Sequence, residues 1–218
     1  KNFILTDGQG KKFLLKVIVK NKLTGDINFQ QAKDEVTALN SLNSTYIVKL
    51  LEHKENNDYF CMKFDFLEGQ TLQQFSNSKI YSEKEVIDFA IQVLRGLVDL
   101  RRQGIVHQDI KPDNLFIKNN GEVILLDFGS ARFKKSPFRG ASRSNHNYSS
   151  PEQILASRPG NAQLLRKTLD DRSDVYGLGI ILHQMVCGSH PFSSLAVPAE
   201  AIYSNDKVPL ISRNDISG

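Results

Sequence analysis

The chain has 218 residues, 40% of them hydrophobic and 24% charged, with a net charge of +4 from 28 Lys and Arg against 24 Asp and Glu. That length suits one large domain or two small lobes, and the composition is that of a globular protein that can bury a core, so disorder is not the default reading. The basic excess is too small to argue for nucleic acid as a partner. Cys61 and Cys187 stand far apart with no CxxC pair, which argues against a disulfide scaffold or a zinc site and fits a reducing compartment. No apolar run approaches the ~18 residues that span a membrane. Residues 1–10 lack the apolar stretch of a signal peptide, so a cytoplasmic chain without a membrane span is expected. The sequence starts inside a strand-like run and stops at Gly218 without a closing helix, as a fragment of a longer protein would.

In chain order, residues 13–19 (FLLKVIV) are β-rich and follow residues 3–5 across a DGQG turn at 7–10, a hairpin signal. Ala32, Val36 and Leu39 recur at helical spacing, predicting a helix over 29–42. Residues 47–51 and 59–66 read as two further strands, with a turn at Asn56, Asn57 and Asp58. Glu68-Gly69-Gln70 then reads as a linker. Ser82 with Glu85 forms a capping box. Behind it Val86, Phe89, Ala90, Val93, Leu94, Leu97 and Leu100 make one apolar stripe, closed by Gly104 as a C-terminal cap. Residues 115–117 and 123–126 are β-rich pieces joined by an Asn119-Asn120-Gly121 turn. Residues 133–150 lack periodicity and read as a long loop. Residues 175–186 are apolar nearly all round, which predicts a buried helix.

Phosphoryl transfer needs oxygen ligands for Mg²⁺, a carboxylate to orient the attacking hydroxyl and a cation to brace the phosphates. The stretch VHQDIKPDNLFI supplies Asp109, Lys111 two residues on, and Asn114 five residues on; LLDFGSA then places Asp127 after a β-rich run and before a glycine. These two motifs, in this order and spacing, resemble the catalytic loop and the metal-binding motif of eukaryotic-type Ser/Thr protein kinases. Ser150-Pro151-Glu152 resembles the close of that family's activation segment. Residues 174–179 (DVYGLG) resemble the start of its central helix, and residues 67–72 (LEGQTL) the segment after its interlobe hinge. His190-Pro191-Phe192 also fits.

The resemblance implies an α+β, bilobal fold: a β-rich lobe over residues 1–66 and a mainly helical lobe over residues 67–218, with ATP and Mg²⁺ in the cleft between them. It implies Asp109 as the catalytic base, Lys111 at the transferred phosphate, Asn114 on one Mg²⁺ and Asp127 bridging metal and phosphates. Leu14 and Phe116 would flank the adenine. Asp65 through Leu67 would offer it backbone groups, with Phe64 as gatekeeper. Asp174 would hydrogen-bond the catalytic-loop backbone, and His107 would pack beneath the metal-binding loop. The small lobe needs a lysine paired with a helix glutamate. Glu35 is the natural partner; Lys16 and Lys20 compete, and the nineteen-residue separation favours Lys16.

Several residues depart from the family pattern. No G-x-G-x-x-G loop is present, because Gly8-x-Gly10 falls in the turn before the Lys16 strand; the first strand and its phosphate-covering loop would have to lie upstream of Lys1. Leu14 stands where Ala is usual and adds volume over the adenine. Gln108 replaces an Arg that normally pairs with a phosphate on the activation segment, so transfer is expected not to need phosphorylation at Ser136, Ser142 or Ser144. Asn145 takes a position often held by Ser or Thr. Lys134, Lys135, Arg139 and Arg143 read as a solvated loop or, in a sharper reading, as a dock for acidic or phosphorylated substrates; the solvated loop is favoured. The spacing from Glu152 to Asp174 points to an insertion around 157–168. The usual partner of Glu152 is missing, which would leave it unpaired. The function expected is ATP- and Mg²⁺-dependent phosphorylation of protein Ser/Thr hydroxyls. The alternative is a pseudokinase-like binding module, favoured by the absent glycine loop and by Leu14. The oligomeric state stays open.

Overall fold

In a computed structural model, the structure describes residues 1–19, 27–75, 81–134, 147–157 and 169–192. Strands β1 (Asn2–Thr6) and β2 (Lys12–Val19) form an antiparallel hairpin. Its turn is set by Asp7, whose Oδ1 accepts the N–H groups of Gln9 and Lys11 at 2.9 Å each, and by Gly10 at φ +83. Helix α1 (Ile27–Asn40) buries Phe29, Ala32, Val36 and Leu39 on the face that the spacing predicts. Strands β3 (Leu50–Glu55) and β4 (Tyr59–Asp65) complete a four-stranded sheet of order β1-β2-β4-β3.

The strand expected over 47–51 lies further on. Ile47 makes an isolated parallel bridge to Leu125, and the Val48 N–H donates to Leu125 O at 3.0 Å. The run is extended, as its β-rich residues favour, but its first residues pair elsewhere. The expected linker is also partly strand: β5 (Gly69–Thr71) pairs with residues 116–118 and leads into the short helix α2 (Leu72–Phe75). Gly69 sits at φ +149, and a Cβ there would lie 2.1 Å from Ile117 O. Only glycine admits the neighbouring backbone so closely.

Helix α3 (Glu83–Arg102) starts at the expected capping box. The Ser82 N–H donates to Glu85 Oε2 at 2.9 Å, and the Glu85 N–H donates to Ser82 Oγ at 3.4 Å. It ends before Gly104 at φ +67. The apolar stripe holds with one change of phase. Leu94 is exposed, whereas Gly96 is buried, a Cβ there falling 2.6 Å from Leu125 Cδ1. The helix therefore meets the strand beneath it at a glycine, and Leu94 turns outward.

Strand β6 (Ile105–Val106) leads to β7 (Leu115–Lys118) and β8 (Val123–Leu125), an antiparallel hairpin that β5 extends to three strands. Strand β9 (Arg132–Phe133) pairs with β6, so Phe133 belongs to a strand and not to the expected loop. Residues 135–146, with Lys135, Ser136, Arg139, Ser142, Arg143, Ser144 and Asn145, lie outside the described residues, as do Lys20 and, of the insertion expected around 157–168, all but Ser157, which ends a helix.

Helix α4 (Pro151–Ser157) was not foreseen as a helix. Its signal is a second box, with Ser150 and Gln153 in the cap and third positions and Pro151 at the first turn. Helix α5 (Arg172–Cys187) buries Gly177, Leu178, Ile180, Ile181 and Met185, yet Val175 is 51% exposed, so the helix is not covered all round. One core cluster runs from Phe29, Phe60 and Met62 through Leu125 to Leu100 and Ile181. The architecture is α+β, and the sites below lie where its sheets and helices meet.

Candidate active site

Lys16 stands on β2 and Glu35 on α1. The Lys16 ammonium donates to Glu35 Oε1 at 3.0 Å, Oε2 at 2.9 Å and Asp127 Oδ1 at 2.8 Å. One cation thus links a strand, a helix and the turn at Asp127. Burial alone would pull the Lys16 ammonium down, but the carboxylates of Glu35 and Asp127 outweigh it and hold it above its ordinary range. Glu35 is 3% exposed. Burial pushes its carboxyl up, against the pull of Lys16 and the Phe128 N–H. Burial would raise Asp127 too, but Lys16 beside it overrides that and keeps its carboxyl below the usual range.

Asp127 has φ +54, a left-handed conformation uncommon for a non-glycine residue, and its Oδ1 caps the Gly129 N–H at 3.4 Å. Gly129 leaves room for the cluster: a Cβ there would stand 3.3 Å from Asp127 Oδ1 and 3.7 Å from Glu35 Oε2.

Asp109, Lys111 and Asn114 form a second cluster on the stretch between β6 and β7. Asp109 Oδ2 accepts from Lys111 Nζ at 2.7 Å and from Asn114 Nδ2 at 2.9 Å. Asn114 Nδ2 also donates to Asp109 O at 2.8 Å. The two clusters are tied through backbone, since the Leu126 N–H donates to Asn114 O at 2.8 Å, one residue before Asp127. Beneath them His107 is fully buried, its Nε2 2.9 Å from Leu126 O and its ring edge-on to Phe128. Asp174 on α5 accepts the N–H groups of His107 and Gln108 at 2.8 Å each. Burial pushes the Asp174 carboxyl up, against those donors.

The residues expected near a base fall on β2, β4, the segment after β4, and β7. Leu14 pairs in register with buried Phe64, and Asp65 pairs with Phe13. The Asp65 carboxylate is bridged to Lys11 at 3.3 Å. Leu67 and Phe116 are partly buried against the core. Glu152, expected to be unpaired, accepts from Ser173 Oγ at 2.7 Å; a hydroxyl twenty-one residues away gave no sign of this in the sequence.

A hard divalent cation takes oxygen ligands and, in phosphate-binding sites, needs only one or two from the protein beside phosphates and water. Asn114 spends its Nδ2 on Asp109, which leaves its amide oxygen as the acceptor, and Asp127 supplies a charged carboxylate. This donor set fits such a cation. Among the described residues no group of three His, Cys, Asp or Glu could hold a metal unaided, so phosphate oxygens would have to share the coordination.

Comparison with known proteins places this geometry in context. The model of the protein kinase domain matches residues 4–213. The chain is similar to the serine/threonine-protein kinase cds1 of Schizosaccharomyces pombe, 31% identical over 85% of this chain and 41% of that protein. It is similar to the serine/threonine-protein kinase Nek3 of Mus musculus, 28% identical over 88% of this chain and 36% of that protein. A bacterial relative is the serine/threonine-protein kinase PknL of Mycobacterium tuberculosis, 29% identical over 81% of this chain and 43% of that protein. The chain spans less than half the length of these relatives.

Proposed function

Given that the chain belongs to the protein kinase family, we propose that it transfers the terminal phosphate of ATP, with Mg²⁺, to Ser or Thr hydroxyls of protein substrates. The observation that carries this reading is Lys16, whose ammonium meets Glu35 and Asp127 at once. In this reading Lys16, held charged by its two carboxylates, braces the phosphates. Asp127 and Asn114 would hold the metal, which would supply charge neutralisation at the phosphates. Asp109 orients the acceptor hydroxyl and takes its proton as the new oxygen–phosphorus bond forms and the bond to ADP breaks. Lys111, 2.7 Å from Asp109, balances charge at the transferred phosphate.

The base is assigned to Leu14, the backbone of Asp65–Leu67 and Phe116, between lobes over residues 1–66 and 67–218. A cytoplasmic setting suits Cys61 and Cys187, both free thiols. No helix among the described residues is long and apolar enough to cross a membrane. The second reading, a binding module without transfer, is favoured by Leu14, whose half-buried side chain adds volume on the Lys16 strand itself, two residues before the lysine.

The test is thermal unfolding with Mg-ATP, comparing the chain with Asp127→Asn. A rise in Tm that needs both Mg²⁺ and Asp127 supports a working nucleotide site. No shift at millimolar Mg-ATP, in a chain that unfolds cooperatively, sinks the transfer reading in favour of the binding module.

A further inference from the structure

Gln108, the residue just before Asp109, is gripped through both of its flanking peptide groups. Gln108 lies at φ +67, a conformation that a non-glycine residue keeps only where its surroundings over-determine it. Its N–H donates to Asp174 Oδ1 at 2.8 Å, from α5. Its carbonyl accepts from Gln153 Nε2 at 2.9 Å, from α4. Both bonds are buried, and Gln153 is 8% exposed.

Gln153 is itself oriented. Its Oε1 accepts the Ser150 N–H at 3.0 Å, so its Nε2 can point only towards Gln108. The amide therefore links the first turn of α4 to the stretch carrying Asp109, forty-five residues earlier. A small cavity beside this bond is bordered by Asp109, Ile110, Tyr148 and Ser173, which gives the Gln108 peptide space to relax if the bond is lost. A charged side chain that could order this loop is absent at position 108, because Gln offers no charge-assisted pair.

We infer that Gln153 is a positioning residue for Asp109: a neutral, buried clasp that holds the left-handed Gln108 peptide and thereby fixes the carboxylate that meets the acceptor hydroxyl. This role rests on the phosphoryl-transfer reading above. It is uncharged, so it needs no modification of the chain to be in place.

The test uses the full 218-residue chain with Gln153→Met, which keeps the size and loses the donor, and Gln153→Glu, which sets a carboxylate against the carbonyl. Two quantities are measured: hydrogen exchange over residues 106–110, and steady-state transfer from Mg-ATP to dephosphorylated casein. Exchange is expected to speed up about tenfold in both variants, as expected when a buried hydrogen bond is lost. A kcat lower by about tenfold is expected, with KM for ATP within about twofold, since Lys16, Glu35 and Asp127 are untouched.

For Gln153→Glu, kcat relative to the parent should recover as pH falls, because a protonated carboxyl regains the donor. A purely structural defect would leave that ratio flat. Should Gln153→Glu not fold, Gln153→Met carries the test by itself. Unchanged exchange and kcat in an active parent overturn this role and leave the transfer reading standing, as does faster exchange with an unchanged kcat. A parent that moves no phosphate overturns the transfer reading, and this role with it.

Discussion

Replacing Lys16 by Met removes the cation that faces Glu35, and the cost follows from burial. Glu35 is 3% exposed and loses two contacts, at 2.9 and 3.0 Å. Breaking a buried pair from one side costs about 3–5 kcal/mol. The Lys16 side chain is 25% exposed, and the Phe128 N–H still bonds Glu35, so the expected loss is about 2–3 kcal/mol. For a chain of this size that corresponds to a fall in Tm of about 5–10 °C. The pH dependence has a definite sign. Burial already raises the Glu35 carboxyl, and removing Lys16 removes the main influence lowering it. A raised carboxyl contributes stability that is fully present below its unfolded value and is lost as pH rises through the folded one. Lys16→Met should therefore be more destabilised, relative to the parent, at about pH 7.5 than at about pH 5.5.

Urea unfolding at both pH values, for Lys16→Met, Glu35→Gln and the double variant, measures this. With Glu35 neutralised, adding Lys16→Met should cost under about 1 kcal/mol, giving a coupling of about 1–2 kcal/mol. Additive effects together with equal losses at both pH values would refute the reasoning.

Gly69→Ala forces a Cβ to 2.1 Å from Ile117 O at φ +149 and should destabilise by about 3 kcal/mol in urea unfolding; a loss under about 1 kcal/mol would mean β5 parts readily from β7. Ser82→Ala opens the capping box of α3 and should cost about 1 kcal/mol, or about 2–4 °C in Tm. Asp127→Asn should abolish the rise in Tm with Mg-ATP, yet lower the basal Tm little, because its side chain is 51% exposed and its pair with Lys16 is worth no more than about 1 kcal/mol. That small contribution is present above the usual carboxylate range and is lost as pH falls through the lowered Asp127 value.

The sequence by itself determined whatever depends on near neighbours or on fixed spacing. Ser82 and Glu85 announce the start of α3 because a cap reaches only three residues. Asp7 and Gly10 announce the first hairpin because a tight turn needs a side-chain acceptor and a positive φ. The separation of Glu35 from Lys16 pointed to the pair that meets at 2.9 Å, and Asp109, Lys111 and Asn114 lie close enough in sequence for a short loop to gather them.

Tertiary structure decided the partners of extended segments and the phase of the helix faces. Residues 47–48 are β-rich wherever they go, and only the position of Leu125 sends them to β8. Gly69 reads as a linker until Ile117 arrives beside it. Leu94 outranks Gly96 in hydrophobicity, yet the close approach of Leu125 buries the glycine and turns the leucine out. The bonds from Ser173 to Glu152 and from Gln153 to Gln108 join residues 21 and 45 positions apart. Such contacts leave no local pattern, because packing and not spacing along the chain brings each donor to its acceptor.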